Sequence, residues 1–122
     1  MAEGKKILIV DDDEDLQLLY GLFLQGFNYV VVRAGDGEEA LRQIEAEKPD
    51  LVILDMIMPV MDGEECLTKL RTEKKNTTPV IIASVNDKIP QELLDLGHVY
   101  TTLKKPFTME ALVEKIEGAL AG

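Results

Sequence analysis

Five short apolar runs, each followed by a longer stretch whose apolar residues recur every three or four positions, set the pattern of this chain. The runs are Lys6–Val10, Tyr29–Ala34, Leu51–Leu54, Pro79–Ala83 and Tyr100–Lys104, and their Val, Ile and Leu content predicts strands buried on both faces. The intervening stretches predict helices over roughly Glu14–Gln25, Glu38–Glu47, Glu64–Glu73, Gln91–Leu96 and Met109–Leu120. Strand-then-helix alternation repeated five times predicts an α/β domain, a five-stranded parallel sheet with helices on both faces. In the last helix Leu112, Val113, Ile116 and Leu120 share one face and are expected to pack on the sheet.

Two helix starts share one phrase, Asp36-Gly37-Glu38-Glu39-Ala40-Leu41 and Asp62-Gly63-Glu64-Glu65-Cys66-Leu67. Each reads as a capping arrangement, with the aspartate at the N-cap and Glu39 or Glu65 reaching back. Cys66 holds the place of Ala40 in the other copy, so it is expected to be a small core residue rather than a nucleophile. Thr108 suits the cap of the last helix, and Met56, Met58, Met61 and Met109 read as packing residues.

Composition narrows the functional classes. A chain of 122 residues fits one domain, expected over 1–122, that needs neither disulfide nor metal as a staple. With 23 acidic against 13 basic residues, the net charge of −10 opposes nucleic-acid binding by this chain alone and association with anionic membranes. No apolar stretch approaches the roughly 20 residues that span a bilayer. The single cysteine rules out an internal disulfide, and the residues Met1-Ala2-Glu3-Gly4-Lys5-Lys6 precede no long apolar h-region, so a reducing cytoplasm is the expected location.

The candidate chemistry gathers at the strand ends. Asp11-Asp12-Asp13-Glu14-Asp15 follows directly on the first strand. Asp13, Glu14 and Asp15 suit the positive end of the following helix, whereas Asp11 and Asp12 sit at the strand mouth. Two carboxylates about 5 Å apart repel by roughly 3 kcal/mol at an effective dielectric near 20, so this pair points to a magnesium site. Asp55 ends the third strand, Ser84 the fourth, and Lys105 follows the fifth, just before Pro106. In an open parallel sheet ligands bind at these carboxyl ends, and three carboxylates neutralised by one magnesium and one lysine suit a small oxyanion such as a phosphoryl group.

The motifs Ile7-Leu8-Ile9-Val10-Asp11-Asp12-Asp13, Leu54-Asp55-Met56-Ile57-Met58-Pro59-Val60-Met61-Asp62-Gly63, Ser84 and Lys105-Pro106-Phe107 resemble a response-regulator receiver domain of two-component signal transduction, over essentially the whole chain. The resemblance implies a flavodoxin-like doubly wound (βα)5 fold with strand order 2-1-3-4-5, as in the chemotaxis receiver that exemplifies this order. With no effector domain after Gly122, the expected architecture is the stand-alone, chemotaxis type, or else a piece cut from a longer regulator.

Residue by residue, the resemblance implies that Asp55 takes a phosphoryl group from the phosphohistidine of a sensor histidine kinase or histidine phosphotransfer protein, switching contacts with a downstream protein target. Asp12 and Asp55 would ligate Mg2+ with the backbone carbonyl of Ile57, Asp11 helping directly or through water. Ser84, in place of the commoner threonine, and Lys105 would bond phosphoryl oxygens, and the Lys105–Pro106 bond would be cis. The domain would catalyse its own phosphoryl transfer and hydrolysis without being an enzyme in the usual sense. Lys104 reads as a solvated lysine and His98 as an ordinary loop residue.

Readings from other classes fit less well. A flavodoxin-type cofactor site wants a glycine- and hydroxyl-rich loop where five acids stand. A phosphatase with an aspartyl nucleophile wants a second acid two residues later, at Ile57. The remaining alternative is a phosphorylation-independent interaction module. One departure from the receiver pattern concerns output: family members carry Phe or Tyr three residues before the motif lysine, and here that residue is Thr102. Tyr100, two residues earlier, is expected on the same strand face as Thr102 but farther from the pocket. The switch is therefore expected to be atypical, involving Ser84, Thr102 and Tyr100 or movement of the Val85–Ile89 loop. The fourth helix is expected to be short, starting near Pro90.

Overall fold

Strands β1 (Lys6–Val10), β2 (Val30–Ala34), β3 (Leu51–Asp55), β4 (Val80–Ser84) and β5 (Val99–Lys104) lie parallel in one sheet of order β2-β1-β3-β4-β5. Between and after them run α1 (Glu14–Gln25), α2 (Gly37–Glu47), α3 (Gly63–Thr72), α4 (Gln91–Asp95) and α5 (Met109–Leu120). The structure is a computed structural model that describes residues 4–86 and 88–121. Met1, Ala2, Glu3 and Gly122 of the expected 1–122 domain, and Asp87 of the expected 85–89 loop, lie outside the described residues.

Alternate residues of the central strands supply two cores, one on each sheet face. Leu8, Val10, Val52, Leu54, Val80 and Ile82 pack with Ala40, Ile44, Cys66, Leu67 and Leu70 of α2 and α3. Ile7, Ile9, Leu51, Ile53, Ile81 and Leu103 pack with Tyr20 and Leu24 of α1 and Leu112, Val113 and Ile116 of α5. Cys66 is 1% exposed, and burial pushes its thiol pKa up to about 12, as suits a packing residue.

Strand boundaries shift by one residue where backbone chemistry requires it. Proline has no N–H for the ladder, so β4 begins at Val80, and Pro79 only accepts, from Val52 N at 3.0 Å. The expected caps form, with Asp36 accepting from Glu39 N, Asp62 from Glu65 N and Thr108 from Ala111 N; Asp13 adds a cap to α1, accepting from Asp15 N and Leu16 N. Neither expected return bond forms: Glu39 Oε1 accepts from Gly35 N at 2.6 Å rather than from the N–H of Asp36, and Glu65 makes no bond back to the N–H of Asp62.

The output edge departs from regular geometry. Val80 pairs with Val99 but Ile81 pairs with Thr101, so one residue of β5 is absorbed by an irregularity at Tyr100. Val99 consequently packs toward the α2/α3 core and Leu103 toward the α1/α5 core, although residues four apart in a regular strand share a face. The expectation that Tyr100 shares a face with Thr102 fails for this reason: the Tyr100 ring stands against α5, its hydroxyl end where a Cβ at Gly118 would be. Helix α4 has five residues and no side-chain cap at Pro90. The turn after it is clasped by Arg71 of α3, which donates to Gly97 O, His98 O and Asn76 O, each at 3.0 Å.

Candidate functional site

Register brings the polar residues together. Val10 of β1 pairs with Leu54 of β3, so the residues that follow, Asp11 and Asp55, emerge side by side. Asp55 is level with Ala83 and Ser84 with Lys104, which places Lys105 at the same mouth. Lys105 N donates to Ser84 O at 2.8 Å, and the Tyr20–Phe107 ring stack, with centroids 5.6 Å apart, ties the segment after β5 to α1. The Lys105–Pro106 peptide bond is cis.

Within the mouth the Lys105 ammonium lies 3.0 Å from Asp11 Oδ2 and 3.4 Å from Asp55 Oδ1. Asp11 is 4% and Asp55 7% exposed, whereas Asp12 is exposed. Asp11 Oδ1 accepts from Asp13 N at 2.9 Å, and Asp55 Oδ1 accepts a long bond from Ile57 N at 3.4 Å. Burial raises the Asp55 pKa; Lys105 works against that rise and Asp11 adds to it. Burial opposes the Lys105 charge, but the hydrogen bond it donates to Asp11 and the two negative charges outweigh it and leave its pKa raised. The tyrosine beneath, Tyr20, is raised mainly by burial.

Carboxylate oxygens of Asp11, Asp12 and Asp55 all lie within 4.8 Å of one another. Oxygens bound to one magnesium at about 2.1 Å stand about 3 Å apart when adjacent and about 4.2 Å apart when opposite, so binding would draw these three oxygens closer together. Hard, anionic oxygens around a partly open position fit a cation that keeps several waters.

Ser84 is buried, and its Oγ accepts from Asn86 N at 3.1 Å. Ile57, two residues after Asp55, is 63% exposed. Gly63 lets the chain after β3 fold back: a Cβ there would collide with Asp55 O, and Gly63 N donates to Met56 O at 3.0 Å. Among the switch candidates, Thr102 is exposed on β5 and Tyr100 half exposed against Gly118, so neither joins the mouth.

One buried polar residue at the mouth escapes the sequence reading. Gln17 is 8% exposed, and its Nε2 donates to Asp11 O at 2.5 Å and Ala34 O at 3.2 Å. The available signal is periodicity: Gln17 opens the buried stripe Gln17, Tyr20, Gly21, Leu24 of α1 as the one amide on it.

A sequence profile described as response regulator receiver domain matches residues 7–117. The chain is 37% identical over 120 residues to the alkaline phosphatase synthesis transcriptional regulatory protein PhoP of Bacillus subtilis, covering 96% of this chain and 49% of PhoP. It is 37% identical over 118 residues to the transcriptional regulatory protein PrrA of Mycobacterium tuberculosis, covering 94% of this chain and 49% of PrrA. The chain thus spans about half the length of these curated relatives. Among solved structures, the chemotaxis response regulator CheY4 of Vibrio cholerae superposes with a TM-score of 0.86 at 31% identity, covering 96% of this chain and 99% of CheY4. No helix among the described residues is long and apolar enough to cross a membrane.

Proposed function

This chain belongs to the response regulator receiver domain family of two-component systems, and from that premise we propose that Asp55 is its phosphoacceptor, loaded in a magnesium-dependent reaction from a kinase or phosphotransfer-protein phosphohistidine. The observation that carries the reading is the convergence of Asp11, Asp12, Asp55 and Lys105 on one strand-end mouth, with Ser84 on the adjoining strand. An Asp55 carboxylate oxygen attacks the phosphorus. The P–N bond breaks, and the imidazole nitrogen leaves with the electron pair, to be protonated from solvent. Magnesium, when bound, would neutralise charge on the phosphoryl oxygens, held by Asp12, Asp55 and the carbonyl of Ile57 with Asp11 assisting.

The chain's own groups then place and neutralise. Lys105 exchanges part of its contact with Asp55 for a phosphoryl oxygen while staying tied to Asp11. Ser84 Oγ turns from Asn86 N to donate to another. Hydrolysis regenerates the carboxylate, so the domain catalyses its own loading and reset within a signalling role. Cys66 is a free buried thiol, in accord with the cytoplasm as the place of action. The chemotaxis response regulator CheY4 is matched over nearly its whole length, and the transcriptional regulators PhoP and PrrA over about half of theirs. Whether this chain stands alone or within a longer regulator, phosphorylation acts on a protein target. Intact-mass measurement after acetyl phosphate tests the reading: one phosphoryl is gained with magnesium and none with chelator, whereas no gain in either condition would leave the phosphorylation-independent module as the better account.

A further inference from the structure

The peptide unit of Asp11 is held at both polar groups. Its N–H donates to Ala34 O at 3.1 Å, and its carbonyl accepts from Gln17 Nε2, which also donates to Ala34 O. Gln17 therefore ties the ends of β1 and β2 together from within the first turns of α1. The same residue whose backbone is clasped this way uses its side chain twice more, accepting from Asp13 N and from the Lys105 ammonium. With the backbone anchored below and Oδ1 anchored beside, the remaining freedom of the Asp11 carboxylate is small.

An amide is the side chain that suits this position. A leucine would leave the Asp11 carbonyl unpartnered in a buried setting, which costs stability. A lysine or arginine would bring a positive charge beside Asp11 and Asp12, where it would attract their carboxylates and oppose a metal ion. The neutral donor holds the main chain and leaves the acids free. The clasp also reaches the β2–α2 turn: Gln17 Nε2 lies 3.8 Å from where a Cβ of Gly35 would be, and Gly35 N is held by Glu39.

We propose that Gln17 is a positioning residue for the divalent cation, fixing the Asp11 backbone so that Asp11 and Asp12 present their oxygens at the spacing the ion needs. The inference rests on the magnesium-dependent reading above and assigns to α1 a part in metal affinity. Loss of groups that orient metal ligands lowers affinity by about tenfold or more.

The test is magnesium titration by calorimetry, with no phosphodonor present, of the wild-type chain, Gln17→Met and Ile44→Val. Gln17→Met keeps an unbranched helix-forming side chain but has no donor; Ile44→Val trims the opposite core. The proposal expects a Kd raised about tenfold in Gln17→Met alone, with phosphoryl gain recovered at saturating magnesium. An unchanged Kd in Gln17→Met overturns it, as does an equal rise in Ile44→Val, which would mark a general loss of packing. Should Gln17→Met not fold, side-chain amide NMR of the wild type decides: slow Nε2 hydrogen exchange and a shift on adding magnesium support the clasp, and fast exchange with no shift overturns it. A wild-type chain that binds no magnesium brings down the parent reading as well, whereas wild-type binding with an unmoved Gln17→Met value brings down this one alone.

Discussion

Lys105 Nζ stands 3.0 Å from Asp11 Oδ2, nearer than its 3.4 Å approach to Asp55. The ammonium is thus tied first to the acid of β1 and only second to the acid of β3. The raised Lys105 pKa makes this a stabilising contact that is fully present below lysine's ordinary 10.5 and is lost as pH rises through the higher folded value. Lys105→Met in metal-free protein is expected to lower stability at neutral pH by about 2 kcal/mol. The deficit should narrow above the ordinary lysine pKa and be largely recovered by added magnesium. Urea melts at neutral and strongly alkaline pH, with and without the ion, check this; equal midpoints at neutral pH would contradict it.

Asp55 has the opposite sign. Its pKa is raised by burial, so between the ordinary 3.8 and the raised value the folded chain holds the proton more firmly than the unfolded chain does. Stability therefore falls as pH rises through that window, and the ionised carboxylate costs stability at neutral pH. Asp55→Asn is expected to raise the Tm of the metal-free protein by a few degrees, corresponding to about 1 kcal/mol or less. Melts in chelator read the difference, and a lower Tm in the variant would show that the Lys105 contact outweighs burial.

Asp12 is exposed and needs no partner in the metal-free fold, so its removal should act on the ion rather than on folding. Asp12→Ala is expected to weaken magnesium binding at least about tenfold, in line with the loss of a carboxylate ligand, while leaving or slightly raising metal-free stability by relieving like-charge repulsion. Unchanged affinity in a metal titration would remove Asp12 from the ligand set.

Ile57 follows Asp55 by two residues, is largely exposed and carries a side chain that cannot orient water, so it is expected to shield the acceptor. Ile57→Asn is expected to speed loss of the phosphoryl group several-fold, followed as decay of the mass-shifted species after donor removal. Equal or slower decay would count against a shielding role and leave Asn86 as the side chain to examine.

Sequence periodicity alone carried the five strands, five helices and two-faced burial, because a parallel sheet covered on both sides leaves near-continuous apolar runs that little else produces. The site was legible for a related reason: strand ends are where a doubly wound sheet places its ligands, and acids there are conspicuous. What stayed hidden was geometry between strands. The absorbed residue at Tyr100 depends on how Val80 and Ile81 pair with β5, and a one-residue irregularity leaves no mark in a short run. Gln17 stayed hidden because an amide on a buried stripe looks like a weak apolar position until its two carbonyl partners are known.

The β5 irregularity bears on output. With its ring against Gly118 of α5, Tyr100 is not poised to enter the space beside Ser84. Comparing structures or tyrosine NMR signals with and without a phosphoryl mimic such as beryllofluoride, the expected change lies in the loop after Ser84, with Tyr100 unmoved. A Tyr100 ring that swings inward beside Ser84 would restore the aromatic switch and contradict this.

The most direct measurement of the central claim is site mapping of the phosphoryl group. The chain and its Asp55→Asn variant are treated with acetyl phosphate and magnesium, the acyl phosphate is reduced with borohydride, and the peptides are sequenced by mass spectrometry. Conversion at Asp55 in the wild type, with no modified peptide in the variant, is the predicted result. Modification that persists in Asp55→Asn, at Asp11, Asp12 or elsewhere, would contradict the assignment of Asp55 as the acceptor.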